Sequence, residues 1–257
     1  MPAYFHRIDD ARFRPSDLVR GAWNPEEMHI APALGLLTHA VERHHHEAQN
    51  DGMRAARMSF DILGTIPIDV VDVSVRVLRP GRTIELVEAT LTHGGRPAVI
   101  GRVWMMATRD TAAVRGGALP AMPHPEEMEL WQPSDVWDGA FVGSVDIMRR
   151  EEAPGRAQAW LRPQLPLVDS EPVSPTARAL GVLDVANGIA TRLPPTAALY
   201  PNLDLTAHLA GEPRGEWIGL DTTVTFGSDG VGLTHSIIHD ETGPIGALEQ
   251  ILTVRPR

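Results

Sequence analysis

The sequence predicts an α+β fold made of two tandem repeats, each a long helix wrapped by a curved antiparallel sheet, and three observations carry that prediction. β-rich runs follow one another through turns too short to hold a crossover helix, which forces antiparallel pairing. The stretch from Ser174 to Arg192 is apolar around nearly its whole helical circumference, as only a buried helix needs. The pattern also repeats: Ala33-Leu34-Gly35-Leu36-Leu37 returns as Ala179-Leu180-Gly181-Val182-Leu183 after 146 residues (179 − 33), and Pro67 and Gly81 return as Pro213 and Gly227 at the same spacing. Gly95 pairs with Gly243 at 148, which reads as two residues gained in the last hairpin, where insertions cost least.

The first repeat, residues 1–110, opens with a strand from Tyr4 to Ile8 and an irregular stretch through Trp23 and Asn24-Pro25. A helix is predicted from Pro32 to His45. It runs out in His44, His45 and His46, which point about 100° apart and cannot easily share a metal, and HEAQN from His46 is not the HExxH of a zinc site. No metal site is therefore expected. Strands follow at Ala56 to Leu63, Val70 to Leu78, Thr83 to Thr92 and Ala98 to Ala107, the last two joined by the turn His93-Gly94-Gly95.

Residues 111–138, with Gly116-Gly117, several prolines and Glu126-Glu127, read as a linker. The second repeat, residues 139–257, has strands at Phe141 to Arg150 and Arg156 to Arg162 and then the helix capped by Ser174, with Pro175 in its first turn. Four strands complete it near Asn202 to Leu209, Glu216 to Phe226, Gly230 to His239 and Ile245 to Val254. Inside the buried helix stands Asp184, a poor helix former and a costly charge to bury, with Asn187 one turn on. That carboxylate is the first functional clue.

Composition excludes much chemistry. The net charge of −10 and pI near 5.5 argue against nucleic-acid and anionic-membrane partners. There is no Cys and no Lys, so all 23 basic residues are Arg, and disulfides, thiolate zinc sites, thiolate nucleophiles and Schiff bases are ruled out. MPAYFHRIDDARFR is charged too early for a secretory signal and no run of about 18 apolar residues occurs, so a cytoplasmic protein is expected. No G-x-S-x-G is present; Gly227-Ser228-Asp229-Gly230 falls in a hairpin turn, and Gly230-Val231-Gly232 lacks the third glycine and following helix of a dinucleotide loop. No cofactor is expected.

A long helix in the concave face of an antiparallel sheet, built twice, resembles the double hot-dog fold. SPTARALGVLDVANG followed by YPNLDLTAHLAGEPRGEWIGLDTTVTFGSDGVGLTHSIIHDETGPIGALEQILTVRPR is similar to the acyl-CoA thioesterase II and thioesterase-like superfamily. In the first half, ARMSFDILGTIPIDVVDVSVRVLRPGRTIELVEATLTHGGRPAVIGRVWMM is similar to that superfamily's first sheet. The resemblance implies hydrolysis of an acyl-CoA thioester by direct attack of a water held by a helix Asp, a Thr or Ser at the start of the next strand, and a Gln in the last strand. These fall on Asp184, Asn202 and Gln250, with Asn202 a departure because an amide replaces the hydroxyl. Asp204, on the same strand face as Asn202, is a secondary support. Subtracting the repeat offsets gives Thr38 (184 − 146), Ala56 (202 − 146) and Arg102 (250 − 148), none suited to the same work, so one centre per chain is expected.

A thioester carbonyl is electrophilic enough for a carboxylate base and two aligning groups to suffice. Oxyanion donors are expected at a helix N-terminus, near Ile30 and Ala31 or near Ser174 to Ala177, with the choice open. Two rival readings stand beside this one. A hot-dog dehydratase or hydratase would need an Asp and His pair, and the helix offers no His near Asp184 and Asn187. A non-catalytic acyl-CoA or acyl-carrier binding module would explain Asn202 as a disabled site. The two sheets are expected to join edge to edge, and association into a homodimer or larger homo-oligomer is expected because the outer sheet face needs cover.

Overall fold

The computed structural model describes residues 2–47 and 52–257, so positions 48–50 of the HEAQN stretch lie outside the described residues. Strands β1 (Phe5–Arg7) and β2 (Arg12–Pro15) form an opening hairpin, followed by helix α1 (Ile30–Glu47) and the strands β3 (Met53–Ile62), β4 (Val71–Arg79), β5 (Ile84–His93) and β6 (Arg96–Ala107). Next come β7 (Glu129–Trp131), β8 (Val145–Ala153) and β9 (Arg156–Pro163), then helices α2 (Pro175–Leu183) and α3 (Ala186–Ile189). The chain closes with β10 (Ala198–Leu199), β11 (Asp204–Leu209), β12 (Ile218–Phe226), β13 (Val231–Asp240), β14 (Gly243–Thr253) and β15 (Arg255–Pro256).

Thirteen of these strands make one sheet, in the order β1-β2-β4-β5-β6-β3-β11-β14-β13-β12-β9-β8-β7, while β10 and β15 form a separate ribbon. Neighbouring strands all run antiparallel. The halves meet where β3 pairs with β11, and Ser59 and Thr206, directly opposite there, share a hydroxyl hydrogen bond of 2.9 Å. The helices are wrapped by the sheet, α1 against β3 to β6, and in the second half α2 against β9 and α3 against β9, β12 and β13; α1 and α2 are the two that cross. They touch at small residues: a Cβ added to Gly35 would stand 2.8 Å from the Gly181 Cα and 2.9 Å from the Ala177 carbonyl oxygen, so only glycine allows this approach of α1 to α2. No helix among the described residues is long and apolar enough to cross a membrane.

Four features differ from the sequence reading. The helix expected to run unbroken to Arg192 stops at Leu183, turns through Asp184 and Val185, and resumes at Ala186. Periodicity alone could not show this, because apolar residues continue across the break. The stretch read as irregular contains β2, whose four residues alternate outward and inward between the edge strand β1 and β4. Residues 129–131 of the expected linker are a strand paired to β8, and the segment before them crosses the face of the sheet away from the helices. There Met122 and Met128 pack on Trp160, whose indole donates to the Pro123 carbonyl at 2.8 Å.

The fourth difference concerns register. The turns Gly94-Gly95 and Glu241-Thr242 each hold two residues between a closing pair, His93 with Arg96 and Asp240 with Gly243, and each follows a register shift, after Leu91 and after Ile238. The hairpins therefore match at 147 (240 − 93), with Gly95 answering to Thr242 rather than to Gly243. Two glycines that look like one anchor are one position out of step. In a strand one step is decisive, because it turns every side chain to the other face.

Candidate active site

The break in the helix delivers Asp184. Its carboxylate is 5% exposed, and its Oδ1 accepts two hydrogen bonds, from Asn202 Nδ2 at 2.6 Å and from Gln250 Nε2 at 3.0 Å. The three residues singled out in the sequence thus converge on one oxygen atom. Gln250 reaches it because Gly246, Leu248, Gln250 and Leu252 alternate inward along β14. Asn202 sits two residues before β11, bridged to Leu252, and its amide also donates to the Asp204 carbonyl at 3.0 Å. Asp204 does not touch Asp184 with its side chain: its Oδ1 accepts from the Ile251 N–H at 2.7 Å, tying the start of β11 to β14. It supports the site through Asn202 and the strand, rather than by contact with the buried carboxylate.

Burial sets the electrostatics. It lifts the Asp184 carboxyl to about 7, against the pull of the Asn202 and Gln250 amides and with a smaller push from Asp204. Burial also raises the Asp204 carboxyl, partly offset by the Ile251 N–H, with Asp61 and Glu249 adding to the rise. Two more polar atoms lie in the same part of the sheet. Gln250 Oε1 and the hydroxyl of Thr234, directly opposite it on β13, are both buried without a hydrogen-bond partner. Buried polar atoms left open in this way mark a place where a further polar group belongs.

Sequence reasoning missed His29. It precedes α1, and its Nδ1 accepts the Ala31 N–H at 3.1 Å while lying 3.9 Å from Asp184 Oδ2. Burial pushes the imidazole down to about 3, so at neutral pH it is uncharged, with Nδ1 as acceptor. The expectation of no His near Asp184 is thereby corrected. His29 lies 155 residues upstream (184 − 29), and only the packing of α1 on α2 brings it close; the one local signal was a side chain able to cap the first turn of a helix.

The same contact distinguishes the two helix N-termini. That of α1 faces Asp184, whereas that of α2 is capped by Ser174, whose Oγ accepts the Ala177 N–H at 2.9 Å and bonds Glu42 at 2.5 Å. Burial raises the Glu42 carboxyl to about 7, with the Ser174 hydroxyl opposing and Glu212 adding.

Among the described residues, nothing comparable occupies the first half. The Thr38 hydroxyl donates to the Leu34 carbonyl at 2.9 Å within its own helix, and Ala56 falls in a register shift of β3. Arg102 points to the opposite face of the sheet, its Nε donating to Glu88 at 3.1 Å. With the hairpins matched at 147, the position answering to Gln250 is the buried Val103 (250 − 147), so Arg102 is not its counterpart.

A crevice between α3 and the segment around β7 is lined by His29, by Val185 next to Asp184, by Asn187, and by three tryptophans, Trp23, Trp131 and Trp137. The Asn187 amide donates to the Tyr200 carbonyl at 3.3 Å, which fixes its side.

Comparison with known proteins bears on the family and the fold. Residues 116–254 match the model of the acyl-CoA thioesterase C-terminal domain, and residues 19–106 match that of the acyl-CoA thioesterase N-terminal domain. A candidate thioesterase from Novosphingobium aromaticivorans is similar in structure, at 20% identity over 99% of this chain and 100% of that one, with a TM-score of 0.71. So is an acyl-CoA thioesterase II from Mycobacterium marinum, at 14% identity over 98% and 95% of the two chains and a TM-score of 0.66. A conserved protein with the hot-dog fold from Alicyclobacillus acidocaldarius aligns at 11% identity over 97% and 95%, with a TM-score of 0.76. At such identities the likenesses establish a hot-dog type of fold. No curated protein sequence matches the chain.

Proposed function

The chain belongs to the acyl-CoA thioesterase family, and from that premise we propose that it hydrolyses an acyl-CoA thioester at a single centre in its second half, with Asp184 as the base. The observation that carries the proposal is the convergence of Asn202 and Gln250 on Oδ1 of a buried carboxylate, which leaves Oδ2 free to face a water. A water at Oδ2 would donate a hydrogen bond to that oxygen, beside the uncharged His29 ring whose Nδ1 lies 3.9 Å from it. The water oxygen attacks the thioester carbonyl carbon as its proton passes to Asp184. The tetrahedral intermediate then collapses, breaking the carbon–sulfur bond, and the departing CoA thiolate takes the proton back. The N-terminal end of α1 is the donor end assigned to the developing oxyanion. The acidic Glu42 beside the α2 N-terminus argues against the other end.

We infer also that the two halves are tandem hot-dog units, residues 1–110 and 139–257, joined by a linker. Supporting this, the strand order β4-β5-β6-β3 in the first half mirrors β12-β13-β14-β11 in the second, and β3 pairs with β11. The Asp184 and His29 pair favours a second reading, hydration or dehydration of an acyl-CoA, in which His29 would be the base. Its Nδ1 is already spent on the Ala31 N–H, which supports the hydrolase instead.

The test is release of CoA from acyl-CoAs, read with a thiol reagent to which this Cys-free chain adds no background. Asp184→Asn keeps an acceptor for Asn202 and Gln250 but removes the base, and should lower turnover by about 10²-fold or more. Gln250→Ala should lower kcat more than it raises KM. Full activity of Asp184→Asn would refute the assignment. Hydration of an enoyl-CoA without thiol release would favour the second reading, and acyl-CoA binding without turnover would leave a binding module.

A further inference from the structure

Behind the amide that holds Asp184 lies a second pair of polar atoms. Gln250 gives its Nε2 to Asp184 Oδ1 while its Oε1 is buried without a partner, and Thr234, wholly buried and directly opposite it on β13, has a hydroxyl without a partner too. Their neighbours in the sheet leave each with the other. On its other side Thr234 meets the apolar Val224 of β12, and Ser236, two residues along β13, already shares a hydroxyl hydrogen bond of 2.8 Å with Thr222. The inward neighbours of Gln250 along β14 are Leu248 and Leu252. Side chains directly opposite in an antiparallel pair have Cβ atoms about 4.5–5.5 Å apart, a gap that a hydroxyl and a long amide close by a change of rotamer alone.

The chemistry gives that contact a direction. A carboxamide can turn either its N–H or its oxygen to Asp184, and only the N–H stabilises the anion. With Nε2 on Asp184 the Thr234 proton finds an acceptor in Oε1, whereas with the amide reversed that proton is left buried and unpaired. A donor on Oε1 also polarises the amide, so that its N–H binds the carboxylate more strongly. We infer that Thr234 is a positioning residue, whose hydroxyl donates to Gln250 Oε1 and thereby keeps Nε2 turned toward Asp184. This rests on the hydrolase reading above, in which Asp184 acts as an anion. The other titratable groups that bear on Asp184 are Asp204, which pushes its carboxyl up, and His29, uncharged and 3.9 Å away. A change at Thr234 leaves both in place.

The test removes the hydroxyl and keeps the shape. In the full chain, with the best substrate of a series from acetyl-CoA to dodecanoyl-CoA, Thr234→Val should lower kcat about tenfold, the worth of one lost hydrogen bond, with KM within about twofold of wild type. The acid limb of kcat/KM should move up by at least about half a pH unit, because Asp184 loses part of its N–H support. Thr234→Ser keeps the hydroxyl and should stay within about threefold of wild type in kcat, with the limb unmoved. In a chain already carrying Gln250→Ala, Thr234→Val should change kcat by less than about twofold, because no amide is left to orient. Wild-type kcat in Thr234→Val, a Thr234→Ser variant as slow as Thr234→Val, or an undiminished loss in the Gln250→Ala chain would each overturn the inference. Should Thr234→Val fail to fold, the ratio of kcat between Thr234→Ser and Thr234→Ala reads the same hydroxyl and must reach at least about fivefold. If no acyl-CoA is hydrolysed, the hydrolase reading falls, and titration of the Asp184 carboxyl by carbon NMR, assigned by its absence from Asp184→Asn, decides the inference by itself. A midpoint raised by at least about half a unit in Thr234→Val and not in Thr234→Ser supports it, and a midpoint unmoved in the first or moved equally in both overturns it.

Discussion

At the scale of single residues, the raised Asp184 carboxyl ties activity and stability to pH in opposite directions. In the proposed mechanism Asp184 acts as base only when ionised, so kcat/KM should climb with pH through a limb near 7 and level off above it, and Asp184→Asn should abolish that limb along with most of the rate. For stability, the native carboxyl holds its proton to about 7 while an unfolded Asp releases it near 4, so the native state binds more protons in between. Stability contributed by this group therefore falls as pH rises from about 4 to about 7, and the full penalty persists above that. Asp184→Asn should match the wild type in melting temperature at about pH 4 and exceed it at about pH 8; thermal denaturation at the two pH values checks the sign. Asp184, Asn202 and Gln250 were legible because their motifs are local strings. His29 and Thr234 were not, since an α1 cap and a cross-strand neighbour become site residues only once helices pack and register is set. Arg102 was misplaced for the related reason that paired glycines do not fix which face a strand residue takes.

At the scale of elements, the crossing of α1 and α2 is asymmetric in what it tolerates. A methyl at Gly35 would run into the backbone of α2, whereas one at Gly181 finds its nearest neighbours at 3.8 and 3.9 Å, an ordinary contact. Gly35→Ala should therefore destabilise by about 1–3 kcal/mol through forced separation of the helices. Gly181→Ala should be neutral or stabilise by up to about 1 kcal/mol through helix propensity. Urea denaturation of both variants measures the contrast. The repeated Ala-Leu-Gly strings pointed to both helices in the sequence, and strand positions followed from β-rich runs with turn residues between them. The interruption at Asp184 could not be read in this way, because it breaks the hydrogen-bond ladder and not the apolar pattern.

At the scale of the molecule, the outer face of the sheet carries a run of exposed apolar side chains. Leu233 pairs with Ile251, whose carbonyl accepts the Leu203 N–H, and Leu203 in turn accepts the N–H of Ile62 beside Leu63. All four leucine and isoleucine side chains on this run, at positions 63, 203, 233 and 251, are at least 40% exposed. A second copy is the expected cover, and sedimentation at micromolar concentration should find a dimer or larger. A monomer there would refute it.

The seam between β3 and β11, with the glycine contact of the helices beneath it, means that the peptide bonds joining the halves carry little of the burden of holding them together. Val114 is 82% exposed and Arg115 next to it is also open to solvent. A single tryptic nick at Arg115 should yield two fragments that co-elute on gel filtration and keep most of the thioester-cleaving activity, dissociating only in denaturant. Genetically, the same property makes the molecule a natural split reporter: two half-genes expressed in one cell should reconstitute it without a tether.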